Sequence, residues 1–131
     1  MRRRLLRPLL LLAALAAPLA GCGGDEGPTS APADCTPIED GRFTLVAKNL
    51  AWNTECLRVP AGTDVTFTVD LQDTSVDHNL AISGPSGKAD TPLERGPGRQ
   101  TLRYPATTPG YHQFVCAIHP SMEGDLWVDP R

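Results

Sequence analysis

Cys116, His119 and Met122 lie within seven residues of one another, in the run Cys116-Ala117-Ile118-His119-Pro120-Ser121-Met122. A His-Asn pair, His78-Asn79, stands far upstream. One tight loop can present the first three side chains together, but His78 reaches them only if a fold closes the intervening chain back on itself. A thiolate, two imidazoles and a thioether are the donor set of a trigonal His2Cys copper site with a long, weak axial Met. Zinc is the next candidate for His2Cys, yet a Met in the fourth place suits it poorly.

Taken singly, each residue has an ordinary reading. A lone Cys in a β-protein is commonly a small buried residue, and a lone Met fills gaps in a core. The joint pattern, with a His-Asn pair upstream, turns four ordinary residues into one site for a single type 1 copper. Pro120 fixes its φ before any metal arrives and so stiffens the loop. One thiolate and two neutral imidazoles leave the centre at +1 when oxidised and 0 when reduced, a small charge change for a low-dielectric pocket.

The first residues set the compartment. Arg2, Arg3, Arg4 and Arg7 precede an apolar stretch from Leu9 to Leu19, broken by Pro18 and followed by Ala20-Gly21-Cys22. A basic start, a short apolar core and small residues before a cleavage point describe an export signal over residues 1–21, too short to span a bilayer as a stable helix. Leu19-Ala20-Gly21-Cys22 resembles a bacterial lipobox, which makes Cys22 the lipidated new N-terminus. Ordinary cleavage near Ala20 is the alternative. More than one acyl chain makes a stable anchor, so the mature protein is expected on the outer face of the cytoplasmic membrane, in the periplasm or at the cell surface. Residues 22–37 hold little that can be buried and read as a flexible tether.

With the signal removed, eight Lys and Arg remain against fifteen Asp and Glu. That balance argues against nucleic acid, which demands clustered positive charge. It is compatible with a basic partner protein without requiring one.

Residues 38–131 suffice for one small domain. Short runs alternate apolar and polar residues: Phe43, Leu45, Ala47; Val65, Phe67, Val69; Leu80, Ile82; Leu102, Tyr104; His112, Phe114, Cys116; Leu126, Val128. Turn residues at Pro60-Ala61-Gly62, Pro85-Ser86-Gly87 and Pro109-Gly110 separate several of them. The pattern predicts an all-β antiparallel sandwich. Ser83 to Arg99, with three Pro and four Gly, predicts a long surface loop with a turn of helix near Leu93.

The segment from Tyr111 to Val128, with Asp77-His78-Asn79-Leu80 before it, resembles the cupredoxins of the plastocyanin and azurin group. Its short Cys-x2-His-Pro-x-Met loop is most similar to the amicyanin variety. The resemblance implies a Greek-key sandwich of about eight strands, one type 1 copper near one end, and one-electron transfer outside the cytoplasm. It assigns His78 and His119 as imidazole ligands, Cys116 as thiolate and Met122 as axial thioether. Asn79 falls where the family ties its two ligand loops together by hydrogen bonds. In that family an apolar patch around the exposed ligand His is the docking face, which here implies a redox partner protein near His119, rimmed by Ala117, Ile118 and Pro120. Asp77 stands where many members carry Pro.

Three residues lie outside the motif. Cys35 and Cys56 are an even remainder in an oxidising compartment and read as a disulfide; two free thiols or a copper-loading pair are the alternatives. His112 shares strand parity with Cys116 and should point inward, but four residues of strand set its backbone about 13 Å away. A buried, hydrogen-bonded structural role fits it.

Counting sets several enzymes aside. A multicopper oxidase needs more than the three histidines present. A binuclear electron-entry centre needs two Cys in one loop, and no Ser-His-Asp or paired-carboxylate arrangement stands out. The expectation is a monomeric, non-enzymatic electron carrier; the rival is a copper delivery or storage protein without a redox circuit.

Overall fold

The structure, a computed structural model, describes residues 30–131. The export signal and Cys22 lie outside the described residues. Two sheets stack face to face. Eight strands have four residues or more: β2 (Arg42–Lys48), β4 (Cys56–Pro60), β5 (Thr63–Leu71), β7 (Ala81–Gly84), β8 (Gly87–Asp90), β10 (Gly98–Ala106), β11 (Gly110–Cys116) and β12 (His119–Asp129). Four two-residue pieces complete the set: β1 (Thr36–Pro37), β3 (Ala51–Trp52), β6 (Asp77–His78) and β9 (Glu94–Arg95). One sheet has the order β1-β4-β12-β11-β7-β8, the other β10-β5-β2-β3, and β6 pairs with β9 apart from both. This is the all-β sandwich that the alternation and turns predict, with the Greek-key architecture that the resemblance implies.

The alternating residues line its inside. Leu45 and Ala47 of β2, Val65, Phe67, Val69 and Leu71 of β5, and Leu57 and Val59 of β4 are buried, facing Phe114 of β11 and Leu126 and Val128 of β12. Period-two strands put every second side chain on one face, and each fully buried Leu or Phe contributes about 1.5–3 kcal/mol. Gly124 lies opposite Phe114 in the β11–β12 ladder. A Cβ there would overlap the Phe114 ring, so the missing side chain is what lets that ring fill the core beneath the metal end.

Three expectations need correction. The sandwich is mixed rather than antiparallel: β2 runs parallel to β5, and β4 parallel to β1 and β12. Alternation fixes which face a residue takes but not the direction of its neighbour, and the crossover between the sheets decides that. Ser83–Arg99 is not a long loop with a helical turn. It forms the end of β7, all of β8 and β9 and the start of β10; Pro85, Pro92, Gly96 and Pro97 lie in the connections, while Gly84, Gly87 and Gly98 are the terminal residues of strands. The tether assigned to 22–37 ends sooner than expected: Thr36 and Pro37 pair with Leu57 and Arg58, and Cys35 is buried and disulfide-bonded to Cys56.

Candidate metal centre

Cys116 ends β11 and His119 opens β12, so a two-residue turn, Ala117-Ile118, separates two donors that stand opposite each other in the ladder. The register shifts between Val115 and Cys116, passing from Val115–Glu123 to Cys116–His119. Residues 120–122 are thereby left outside the pairing. Met122 keeps the inward parity of Gly124, Leu126 and Val128 and is fully buried. His78 enters from β6, buried and 38 residues upstream of Cys116.

The three donor atoms converge. His78 Nδ1 and His119 Nδ1 are 3.1 Å apart, and Cys116 Sγ lies 3.4 Å from the latter and 3.9 Å from the former. One ion bonded to all three in a plane, at about 2.0 Å from nitrogen and 2.3 Å from sulfur, requires edges of about 3.5 Å. The observed triangle fits that demand. The surroundings of the donors are specific as well: His78 Nε2 lies 2.8 Å from Asp73 Oδ2, while its Nδ1 faces the other two donors. Three potential ligand atoms gathered at one point can hold a metal ion. His119 is the partly exposed member, while Cys116 and His78 are buried.

Hydrogen bonds hold the frame. Ala117 N donates to Asn79 Oδ1 at 2.8 Å, and Asn79 Nδ2 donates to Thr91 O at 3.2 Å. Thr91 Oγ1 accepts from Leu80 N and donates to Gln100 Oε1 at 2.7 Å. This buried chain ties the loop, the His78 segment and β10 together. Asp73 accepts from the amides of Asn49 and Leu50. The Asn49 amide holds its carboxyl below the usual carboxylate range; burial opposes this, and the Leu50 amide and His78 add to the lowering.

The structure brings together His78, Cys116 and His119 and sets Asn79 between their segments. Cys35 and Cys56 are paired at the other side of β12, where Cys56 faces Asp125. His112 is buried away from the triangle. Its Nδ1 donates to Gly110 O at 3.0 Å and its Nε2 accepts from Ser86 N at 3.0 Å. Burial pushes its pKa down. A Cβ on Gly84 would strike the His112 ring, so the glycine makes room for it. Asp77 pairs with Arg95 at the surface, at 2.8 Å. Sequence reasoning missed Asp73, Thr91 and Gln100, because no spacing rule relates a polar loop residue to a ligand met only through folding.

No family model matches the chain. Amicyanin-alpha of Methylorubrum extorquens is 30% identical over 129 residues, spanning 95% of this chain and 100% of the relative. The fold is shared with a dithionite-reduced auracyanin of Roseiflexus castenholzii, at TM-score 0.62 and 22% identity over 69% of this chain and 98% of that one. It is shared too with auracyanin A, a blue copper protein of Chloroflexus aurantiacus, at TM-score 0.60 and 21% identity over 71% and 99%. With that kinship, that fold and a triangle of donors able to hold a metal ion, the chain belongs to the cupredoxins, the blue copper proteins.

Proposed function

We propose that this cupredoxin is an exported, membrane-tethered one-electron carrier, with one type 1 copper held by His78, Cys116, His119 and Met122. When bound, copper supplies a one-electron couple. The chain's own residues do the rest. Cys116, 3% exposed, provides the thiolate in a water-poor pocket, and the Asn79–Ala117 hydrogen bond keeps the loop from relaxing between oxidation states. The convergence of the three donors is the observation that carries this reading. A delivery or storage protein gains from exposed, exchangeable ligands, and a buried thiolate in a braced loop favours the carrier instead.

The tether is Cys22 with the residues after it, and the lipid holds the domain at the membrane surface outside the cytoplasm. The protein acts as a monomer without an enzymatic reaction of its own. A redox partner docks at the end bearing His119. Ala117, Ile118 and Pro120 are exposed there, Ile118 at 49%, and Leu50, at 43%, joins them through the Ser121 hydroxyl on its carbonyl. Charges elsewhere tune the rate of encounter.

The deciding experiment is the visible and electron paramagnetic resonance spectrum of the copper-loaded, oxidised protein. An intense thiolate-to-copper band in the red with narrow copper hyperfine splitting is expected; a colourless protein that binds one copper supports delivery. Replacing Cys22 by Ser should release the protein from membranes, and Pro120→Glu should slow transfer to the partner far more than it shifts the potential.

A further inference from the structure

We infer that Asp73 is a positioning residue of the metal centre: its carboxylate fixes the ring orientation and tautomer of His78, and the left-handed turn Asn49-Leu50 fixes the carboxylate. The inference rests on reading His78 as a copper ligand.

The His78 ring has two nitrogens with opposite duties. Nδ1 faces His119 and Cys116, while Nε2 meets Asp73 Oδ2 at 2.8 Å. An ionised carboxylate only accepts, so the ring proton stays on Nε2 and Nδ1 keeps its lone pair. The tautomer is therefore chosen before metal arrives. A ligand imidazole that donates to a carboxylate is also oriented by it and made a stronger base toward the metal.

Asp73 is itself held from several sides. Its side chain is 13% exposed. Oδ1 accepts from Asn49 N at 2.8 Å, and Oδ2 accepts from Leu50 N at 3.2 Å as well as from His78. Its backbone carbonyl accepts from Gly96 N at 2.9 Å. Asn49 and Leu50 have φ of 54° and 57°, a left-handed conformation that is sterically unfavourable for a side-chain-bearing residue such as Leu. Two successive amides of such a turn form a concavity for negative charge, and the Asp73 carboxylate fills it. The same turn reaches the other ligand segment, because Ser121, between His119 and Met122, donates its hydroxyl to Leu50 O at 3.2 Å. A residue that merely capped the β2–β3 hairpin would need no bond to His78.

The test has two readouts. In the wild-type apo-protein, long-range proton–nitrogen correlation of the His78 ring should show the Nε2–H tautomer with a slowly exchanging ring proton. An Nδ1–H tautomer, or a freely exchanging ring proton, overturns the inference. In the copper-loaded protein, Asp73→Asn and Asp73→Ala should each raise the reduction potential, because a less basic imidazole favours the cupric state less. Copper affinity should fall about 10–100-fold, as is typical when a partner of a ligand is removed. Variants that unfold more easily but keep the wild-type potential and affinity would show Asp73 to be a hairpin cap only. If neither variant folds, the wild-type tautomer decides. A wild-type protein that never turns blue counts against the copper assignment, and the apo-protein tautomer still reads the Asp73–His78 relationship independently.

Discussion

The amide of Ala117 donates to the side-chain oxygen of Asn79 at 2.8 Å, bridging 38 residues of sequence. That single bond links the loop carrying Cys116 and His119 to the strand end carrying His78. Asn79→Ala removes it together with the Asn79–Thr91 bond and leaves buried polar groups unpaired. Unfolding free energy should fall by about 1–3 kcal/mol in denaturant titration of the apo-protein. In the copper-loaded variant the hyperfine pattern should broaden, as a loosened loop samples several ligand geometries. An unchanged spectrum would mean that the loop holds its shape without Asn79.

Cys116 and Met122 differ in what their loss should do. Cys116→Ser should abolish the blue colour, because a hydroxyl cannot supply the covalent charge-transfer donor. Met122→Leu should keep the colour and raise the potential, since it would remove only the weak axial thioether proposed for this residue. Met122 is fully buried, and a Leu of similar volume should cost less than about 1.5 kcal/mol in stability. The absorption spectrum and a redox titration check both outcomes.

Cys35 and Cys56 close a loop across a sequence separation of 21. Replacing both by Ala should lower stability by about 3 kcal/mol in the chain-entropy account. The copper spectrum should hardly change, because Cys56 lies opposite Asp125, well along β12 from the ligand loop. Thiol counting on unfolded apo-protein lacking Cys22 should find one reactive thiol, that of Cys116.

His112 should make stability depend on pH. Burial lowers its pKa below the ordinary 6.5, so the unfolded chain takes up a proton more readily than the folded one. Stability from this residue is complete above about pH 6.5 and falls as pH drops toward the lowered folded value, by at most about 1.4 kcal/mol per pH unit. Protonation also converts Nε2 from acceptor to donor, and the Ser86 amide that points at it loses its partner. The ring packs edge-on against Tyr104, so the wild-type slope measured in mildly acidic denaturant titrations should flatten in His112→Phe, whatever that variant's absolute stability.

Periodicity and motif, both local properties, were legible in the chain. The alternation through Val65-Thr66-Phe67-Thr68-Val69 already assigns inner and outer faces, because strand geometry sends successive side chains to opposite sides. Cys116 and His119 declare themselves because a two-residue turn suffices to bring them together, and His112 declares its burial through its parity with Phe114. Tertiary structure decided whatever depends on which segments meet. The parallel pairing of β2 with β5 cannot be read from either strand, since alternation is blind to a neighbour's direction. The strands hidden in Ser83–Arg99 exist because β7, β6 and β5 offer them edges to pair with, which outweighs a composition rich in Gly and Pro. Asp73 shows no sign of its place in the sequence: only the meeting of the Asn49-Leu50 amides and the His78 ring at its carboxylate turns an ordinary loop residue into the support proposed for the metal centre.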